Sequence, residues 1–223
     1  MEDWVRPVAE YMAREGLKHT FQIAGESVVV STIVGVVLGT LLTVHWLPLR
    51  ALIRLYIEVW RGLPIIVTIF LIYYALPGAP GIHLRLSAFQ GAAIGLSLWG
   101  SAQIAEATRG AVQSIPREQH EAAAALGWGW VGSHAYVILP QALRRLLPPL
   151  VSLLVNVIQN STLAAIIGVA ELLQTGQSQV ERLTLETGDS HAFAIYGGVM
   201  AAFFAISFPL TRLAGFLERR LVA

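Results

Sequence analysis

Apolar residues are gathered along this chain into long blocks that charged residues interrupt. Five stretches carry no formal charge: Ser27 to Val44, Gly62 to Ile82, Leu86 to Ala105, Leu146 to Ala170 and Ala192 to Thr211. Each approaches or exceeds the roughly 17 to 25 residues that a helix needs to cross a bilayer. The pattern therefore predicts an all-α integral membrane protein with five transmembrane helices. A sixth charge-free run, Ala122 to Leu143, contains Gly127, Gly129, Gly132, Ser133 and His134, and it lies between Arg117 and the pair Arg144 and Arg145. Glycine at that density breaks a lipid-exposed helix, and a span there would export a basic cluster, so this run is expected outside the membrane.

Residues 2–22 form a charged, helix-permissive segment with Glu10, Arg14, Glu15 and Lys18 along one helical face, which reads as an interfacial helix ahead of the first span. Gly35 and Gly39 in that span, and Gly91 and Gly95 in the third, make Gly-x-x-x-Gly pairs, expected to let another backbone approach closely.

Composition sharpens this picture. Charged residues make up 13% of the 223, about half the share of a soluble domain, and 55% are hydrophobic. Arg50, Arg54, Arg109, Arg117, Arg144, Arg145, Arg212, Arg219 and Arg220 all fall on one side of the five spans. By the positive-inside rule that side is cytoplasmic, which places the amino terminus outside and the carboxyl terminus inside. The opening Met1-Glu2-Asp3 has no basic, cleavable leader, so the first span is expected to insert uncleaved. Cysteine is absent, which excludes disulfides, thiolate metal sites and cysteine nucleophiles. The six histidines, His83 among them, show no metal-binding spacing, and a pI near 8.2 implies no nucleic-acid partner.

Pro116 to Pro140 reads as helix, tight turn, helix. Ser114 is a candidate cap, Pro116 suits a first turn, and Glu121-Ala122-Ala123-Ala124-Ala125-Leu126 is strong helix former before Gly127 permits a left-handed exit. A second short helix is expected from about Val131 to Leu139, with Pro140 launching the next span. Trp128 and Trp130 suit either an interfacial belt or this protruding surface.

The order Glu121-Ala122-Ala123, three residues, Gly127, nine residues, Val137, Ile138, Leu139, Pro140 resembles the cytoplasmic coupling motif of binding-protein-dependent ABC importer permeases, with Val137 where that motif has isoleucine. Three further segments are similar to the polar amino-acid (histidine/glutamine permease-like) branch of that family: Arg61-Gly62-Leu63-Pro64 with Ile72 to Pro77, Ala105 to Gly110 with Gln113 to Pro116, and Ile158 to Leu163 with Ile167 to Leu173. The resemblance implies a single type I permease domain over 1–223, with 110–146 as the coupling loop inserted into a groove on a separate ABC ATPase. It also implies a second permease subunit, identical or paralogous, an extracytoplasmic amino-acid-binding protein, and the bacterial inner membrane as the site of action. ATP and Mg2+ would belong to the partner ATPase, with no cofactor in this chain. Consistently, a Walker A loop needs a Gly-Lys-Ser/Thr run, and the single lysine, Lys18, stands between Leu17 and His19.

Two groups of polar residues remain. Glu58 with Arg61, and Glu106 with Arg109, stand three apart, where an ion pair forms on a helix, either structural or part of a gate. Asn156, Gln159, Asn160, Ser161 and Thr162 fall mid-span, where unsatisfied polar groups are costly, so they either bond between helices or line a substrate path. The related branch often has lysine at position 159 and threonine at 63. A His-Glu-x-x-His or Gly-x-Ser-x-Gly element is missing, so no catalytic residue is assigned; an ATP-independent channel or secondary transporter is the alternative reading.

Overall fold

The computed structural model describes residues 4–81 and 84–221, so Glu2, Asp3 and His83 lie outside the described residues. Helices account for nearly all of it: α1 Val5–Leu41, α2 Leu47–Gly62, α3 Ile65–Ala75, α4 Ala88–Gln113, α5 Arg117–Ala125, α6 Trp130–Ile167, α7 Leu172–Thr187 and α8 Ala192–Leu221. Among the described residues, α1, α6 and α8 are long and apolar enough to cross a membrane, and α2 with α3 makes a fourth if the broken pair is one span. The helix α4, at 26 residues, has the length to cross, although its Gly, Ser and Gln residues dilute its apolarity. Large apolar side chains stand open on α1 (Val29, Ile33, Val37) and on α8 (Phe193, Met200, Phe204). Surfaces of that kind need lipid or a partner subunit.

Three boundaries differ from the sequence expectation. The amino-terminal segment is continuous with the first span, since α1 runs from Val5 with a π-helical turn at Met12–Leu17. Its Val8, Met12 and Gly16 are buried, so this part packs within its own unit. The second charge-free stretch is not one helix from 62 to 82: Leu63 is extended (φ −83°, ψ 138°) because the ring of Pro64 excludes the α conformation from the residue before it. The third difference, at Pro140, belongs to the site described below.

The chain divides into two compact units, each with its own core. The first comprises the described parts of residues 1–28, 64–96 and 155–209. Its core joins Ile23, Ile69, Ala92, Leu96, Ala164 and Ile167, and a second cluster joins Val8, Met12, Leu172, Leu183, Ile195 and Val199. The second unit comprises 29–63, 97–154 and the described part of 210–223. It buries Leu42, Ile53, Ile57 and Ala105 together, and Ala111, Val112, Ile115, Ile138 and Ala142 together.

The Gly-x-x-x-Gly expectation is met within both units. A β-carbon on Gly35 would lie 2.6 Å from the Ile104 side chain, and one on Gly39 would lie 2.3 Å from the Ala105 carbonyl oxygen. In the other unit, β-carbons on Gly91 and Gly95 would each come within 2.9 Å of a side chain, that of Tyr73 and that of Ile69.

The helix α7 begins at a buried acid. Glu171 is fully buried, and its two carboxylate oxygens accept from the N–H groups of Leu173 (2.9 Å) and Gln174 (2.8 Å). The next orphan donor, Leu172 N–H, is taken by the Thr20 hydroxyl at 3.1 Å. Burial pushes the Glu171 carboxyl above the usual carboxylate range, and the two N–H donors pull it back down. Glu171→Ala strands both donors out of water and is expected to cost roughly 2 to 4 kcal/mol. Thermal unfolding of the detergent-solubilised protein measures this, and Glu171→Gln, which keeps one acceptor, should lose less.

Candidate functional site

The helix α5 starts after Pro116 (φ −55°, ψ 144°), whose fixed backbone directs the chain into the first turn. Ser114 is not its cap. Its hydroxyl donates to the Ala111 carbonyl at 2.7 Å and accepts from the Arg145 guanidinium, which also reaches the Ser114 carbonyl. At the other end the chain leaves α5 through Gly127 at φ +82°. The N–H of Gly127 bonds the Ala124 carbonyl (2.9 Å) and that of Trp128 bonds the Ala123 carbonyl (3.1 Å), a Schellman closure that needs a residue without a β-carbon penalty.

The motif residues divide by face. Ala123 is buried, whereas Glu121, Ala122, Ala124, Ala125 and Leu126 are exposed. Glu121 pairs with Arg117 one turn back at 2.9 Å, both largely in solvent, so the pair adds little to stability. Trp128 folds over Gly132 and packs against Tyr136 with ring centroids 4.8 Å apart. With Leu126 and Val131 also open, the turn presents an apolar tip beside the exposed alanines of α5.

The expected short helix from Val131 to Leu139 is instead the opening of α6, which continues through Pro140 without a break. The reason lies one turn earlier. Residues His134–Ile138 adopt a π-helical turn in which the Leu139 N–H bonds the His134 carbonyl, so the helix is already widened where the Pro140 ring must fit against the preceding turn. Leu139 is half-buried and Pro140 exposed. The hairpin is closed by the Gln141 amide donating to the Gln119 side chain at 3.1 Å, in addition to the Arg145 contact with Ser114. Neither tie was among the sequence-predicted residues.

Glu106 and Arg109 form the expected ion pair, with Arg109 Nε 3.1 Å from Glu106 Oε2. Glu106 also receives Arg54 at 3.2 Å, and Arg109 bonds Gln113. Glu58 and Arg61 are not paired among the described residues. Glu58 stands 3.9 Å from Arg54, and Arg61 donates to Gln103 at 3.1 Å. A four-residue step brings Arg54 over Glu58 on the helix surface, and that geometry wins over the three-residue step to Arg61. The result is one carboxylate, Glu106, between two guanidiniums, all in the second unit.

The amide and hydroxyl segment falls where the α-helical part of α6 ends. Residues Leu139–Asn160 are α-helical, Ser161–Ile167 are 3-10 helical, and Gly168 turns the chain at φ +85°. A change of helical pitch leaves carbonyls without their usual donors. Two are satisfied locally: the Ser161 hydroxyl donates to Ile158 O and the Thr162 hydroxyl to Gln159 O, each at 2.8 Å. Ser161 is wholly buried, which removes it from any surface. Asn156 and Gln159 are exposed, and Asn160 and Thr162 are half-buried. Gln159 reaches the Ser207 hydroxyl on α8 only at 3.4 Å, a long bond that leaves its amide available.

Comparison with known proteins places this geometry. A family model described as binding-protein-dependent transport system inner membrane component matches residues 31–223. The glutamine transport system permease protein GlnP of Escherichia coli (strain K12) is 36% identical over 207 residues, covering 93% of this chain and 91% of the relative. The probable amino-acid ABC transporter permease protein YckA of Bacillus subtilis (strain 168) is 39% identical over 160 residues, 72% of this chain and 70% of the relative. Among solved structures, an amino acid ABC transporter with histidines matches with a TM-score of 0.82 at 27% identity, covering 99% of this chain and 100% of that one. An inward-facing MetNI methionine ABC transporter matches with a TM-score of 0.77 at 18% identity, a likeness of fold.

Proposed function

The chain belongs to the family of binding-protein-dependent transport system inner membrane components, and from that premise we propose that it is the permease subunit of an ATP-driven importer for polar amino acids. The tip of the α5–α6 hairpin, with Glu121, Ala122, Gly127 and the open side chains of Leu126 and Val131, is the docking point for a separate ATPase subunit, which binds ATP and Mg2+. The observation that carries this reading is the conjunction of a hairpin closed by backbone hydrogen bonds with an exposed apolar tip in a chain that matches the family over 31–223. The relatives named for glutamine and for amino-acid transport support the substrate class. On this reading the hairpin and the carboxyl terminus are cytoplasmic and the amino terminus faces the extracytoplasmic binding protein. On the same reading a second permease subunit, identical or paralogous, completes the pathway, and the open apolar faces of α1 and α8 are covered by it or by lipid.

Co-expression with the ATPase tests the assignment: a stoichiometric complex should survive detergent extraction and membrane washing. An ATP-independent channel or secondary transporter would purify without it, and that result would reject the proposal.

Within the membrane, the exposed amides Asn156 and Gln159, with Asn160 and Thr162 beside them, are the proposed lining of the path. Asn160→Ala or Thr162→Ala is expected to slow uptake in reconstituted vesicles by about fivefold, the worth of one lost hydrogen bond, while the binding protein's own affinity is unchanged. Ser161→Ala should act on stability instead, since Ser161, unlike half-buried Thr162, is wholly buried. Gln159→Lys adds a cation, and it should raise uptake of acidic relative to basic amino acids. An unmoved ratio would take residue 159 off the path.

A further inference from the structure

Beside the closed hairpin, within the second unit, lies a cavity of about 340 Å³ that none of the roles above uses. Its wall draws on five segments: the α1–α2 turn (Thr43, His45), α2 (Arg50), the end of α4 (Gln113), α5 (His120) and the start of α6 (Trp130, His134). Three features of that wall point the same way. No carboxylate lines it. The guanidinium of Arg50 makes no hydrogen bond or ion pair among the described residues, whereas those of Arg54 and Arg109 nearby are both engaged by Glu106. The indole Nε1–H of Trp130 is buried with no acceptor among the described residues. Trp130 itself forms part of the wall, so an anion seated there is the nearest candidate acceptor for that N–H.

The wall is also preorganised. His134 is held by the Trp130 carbonyl (2.9 Å) and by Thr43 (3.0 Å), with its ring stacked on Trp130 at 4.2 Å. His120 stands edge-on to His134 with ring centroids 6.2 Å apart. The cavity thus offers the Arg50 guanidinium and the rings of His45 and His120, with the Trp130 indole in its wall and no competing acid. That set suits a compact oxyanion with several acceptor oxygens, and a guanidinium recognises phosphate by paired N–H bonds.

We propose that this cavity binds a phosphate group, carried either on an anionic phospholipid headgroup or as free inorganic phosphate, and that its occupancy ties α5 to the α1–α2 turn. The inference does not depend on transport. An occupant touching Arg50 on α2 as well as His120 and Trp130 on the hairpin adds a tie between α2 and the α5–α6 hairpin, so phosphate binding stiffens the seat of the surface proposed to receive the ATPase.

The full-length permease in phosphatidylcholine nanodiscs provides the test. It is titrated in separate arms with soluble short-chain phosphatidylglycerol and with inorganic phosphate, and tryptophan fluorescence is followed, the Trp130 component being the difference between wild type and Trp130→Phe. A saturable change is expected in at least one arm. Saturation by phosphatidylglycerol that phosphate cannot match identifies a lipid headgroup; saturation by phosphate alone identifies the free ion. Arg50→Gln should weaken the binding about tenfold or more, and His120→Gln, on an exposed helix where folding is not at stake, should weaken it several-fold. Absence of a saturable response in both arms, or equal half-saturation in wild type and His120→Gln and Arg50→Gln, overturns the proposal.

Discussion

Gly127→Val is expected to abolish the stimulation of ATP hydrolysis by substrate-loaded binding protein, by tenfold or more, while the permease remains in the membrane at normal yield. Nothing lies within 4 Å of a β-carbon built at this position, so the obstacle is not steric contact with neighbours. It is the backbone: φ is +82°, which costs an L-residue about 1 to 2 kcal/mol and a β-branched one more. The least costly relief is to give up the two turn bonds to Ala123 and Ala124, which frees Trp128 from Gly132 and dissolves the tip. The spans hold no part of that closure and should insert normally. Gly129, at φ −67°, is the internal control, since Gly129→Ala keeps an allowed backbone and should retain stimulation. Wild-type stimulation in Gly127→Val would remove the hairpin tip from the coupling pathway.

Gly39→Val should be the most destabilising single change in the second unit. A β-carbon there meets the Ala105 carbonyl oxygen at 2.3 Å and Thr108 Cβ at 2.6 Å, so α1 and α4 must separate. Backbone, unlike a long side chain, has no rotamer to yield, and overpacking of this kind costs about 3 kcal/mol or more. Gly25 on the same helix has nothing within 4 Å, so Gly25→Ala should be neutral or gain up to about 1 kcal/mol from helix propensity. Melting of both variants in one detergent decides it: similar midpoints would mean that the helices do not approach as described.

These two glycines also show what local sequence is able to reveal. Gly35 and Gly39 announce a close crossing because a four-residue repeat of missing side chains is itself a groove, and Gly127 announces a left-handed exit because little else adopts that backbone. The Glu106–Arg109 pair is legible for the same reason, its partners being one turn apart. What escapes is pairing between segments distant in the chain. Arg54 meets Glu106 across 52 residues and Arg145 meets Ser114 across 31, and no spacing rule connects them. Pro140 misleads in the opposite direction. A proline ordinarily ends a helix, and only the π-helical turn just before it, set by tertiary packing of the buried His134 and Ile138, lets α6 run on. The polar run from Asn156 to Thr162 is legible as unusual, but its division into a buried Ser161 and exposed amides depends on the change of helical pitch at Asn160.

The bond between Thr20 and Leu172 N–H joins residues 152 positions apart. At bacterial elongation rates of about 5 to 20 residues per second, the ribosome takes on the order of 10 to 30 s to make the second partner after the first. During that interval the Thr20 hydroxyl, wholly buried in the folded protein, has no Leu172 N–H to accept from. Threonine suits the delay, because a threonine hydroxyl inside a helix is able to turn back to the carbonyl one turn earlier until its final partner is present. An asparagine or glutamine at this position would instead seek whatever donor the nascent chain or a neighbouring protein presented first. Only a polypeptide elongated past Leu172 can close its amino-terminal helix onto α7 through this bond, so a chain that stops short of it leaves the Thr20 hydroxyl without that donor.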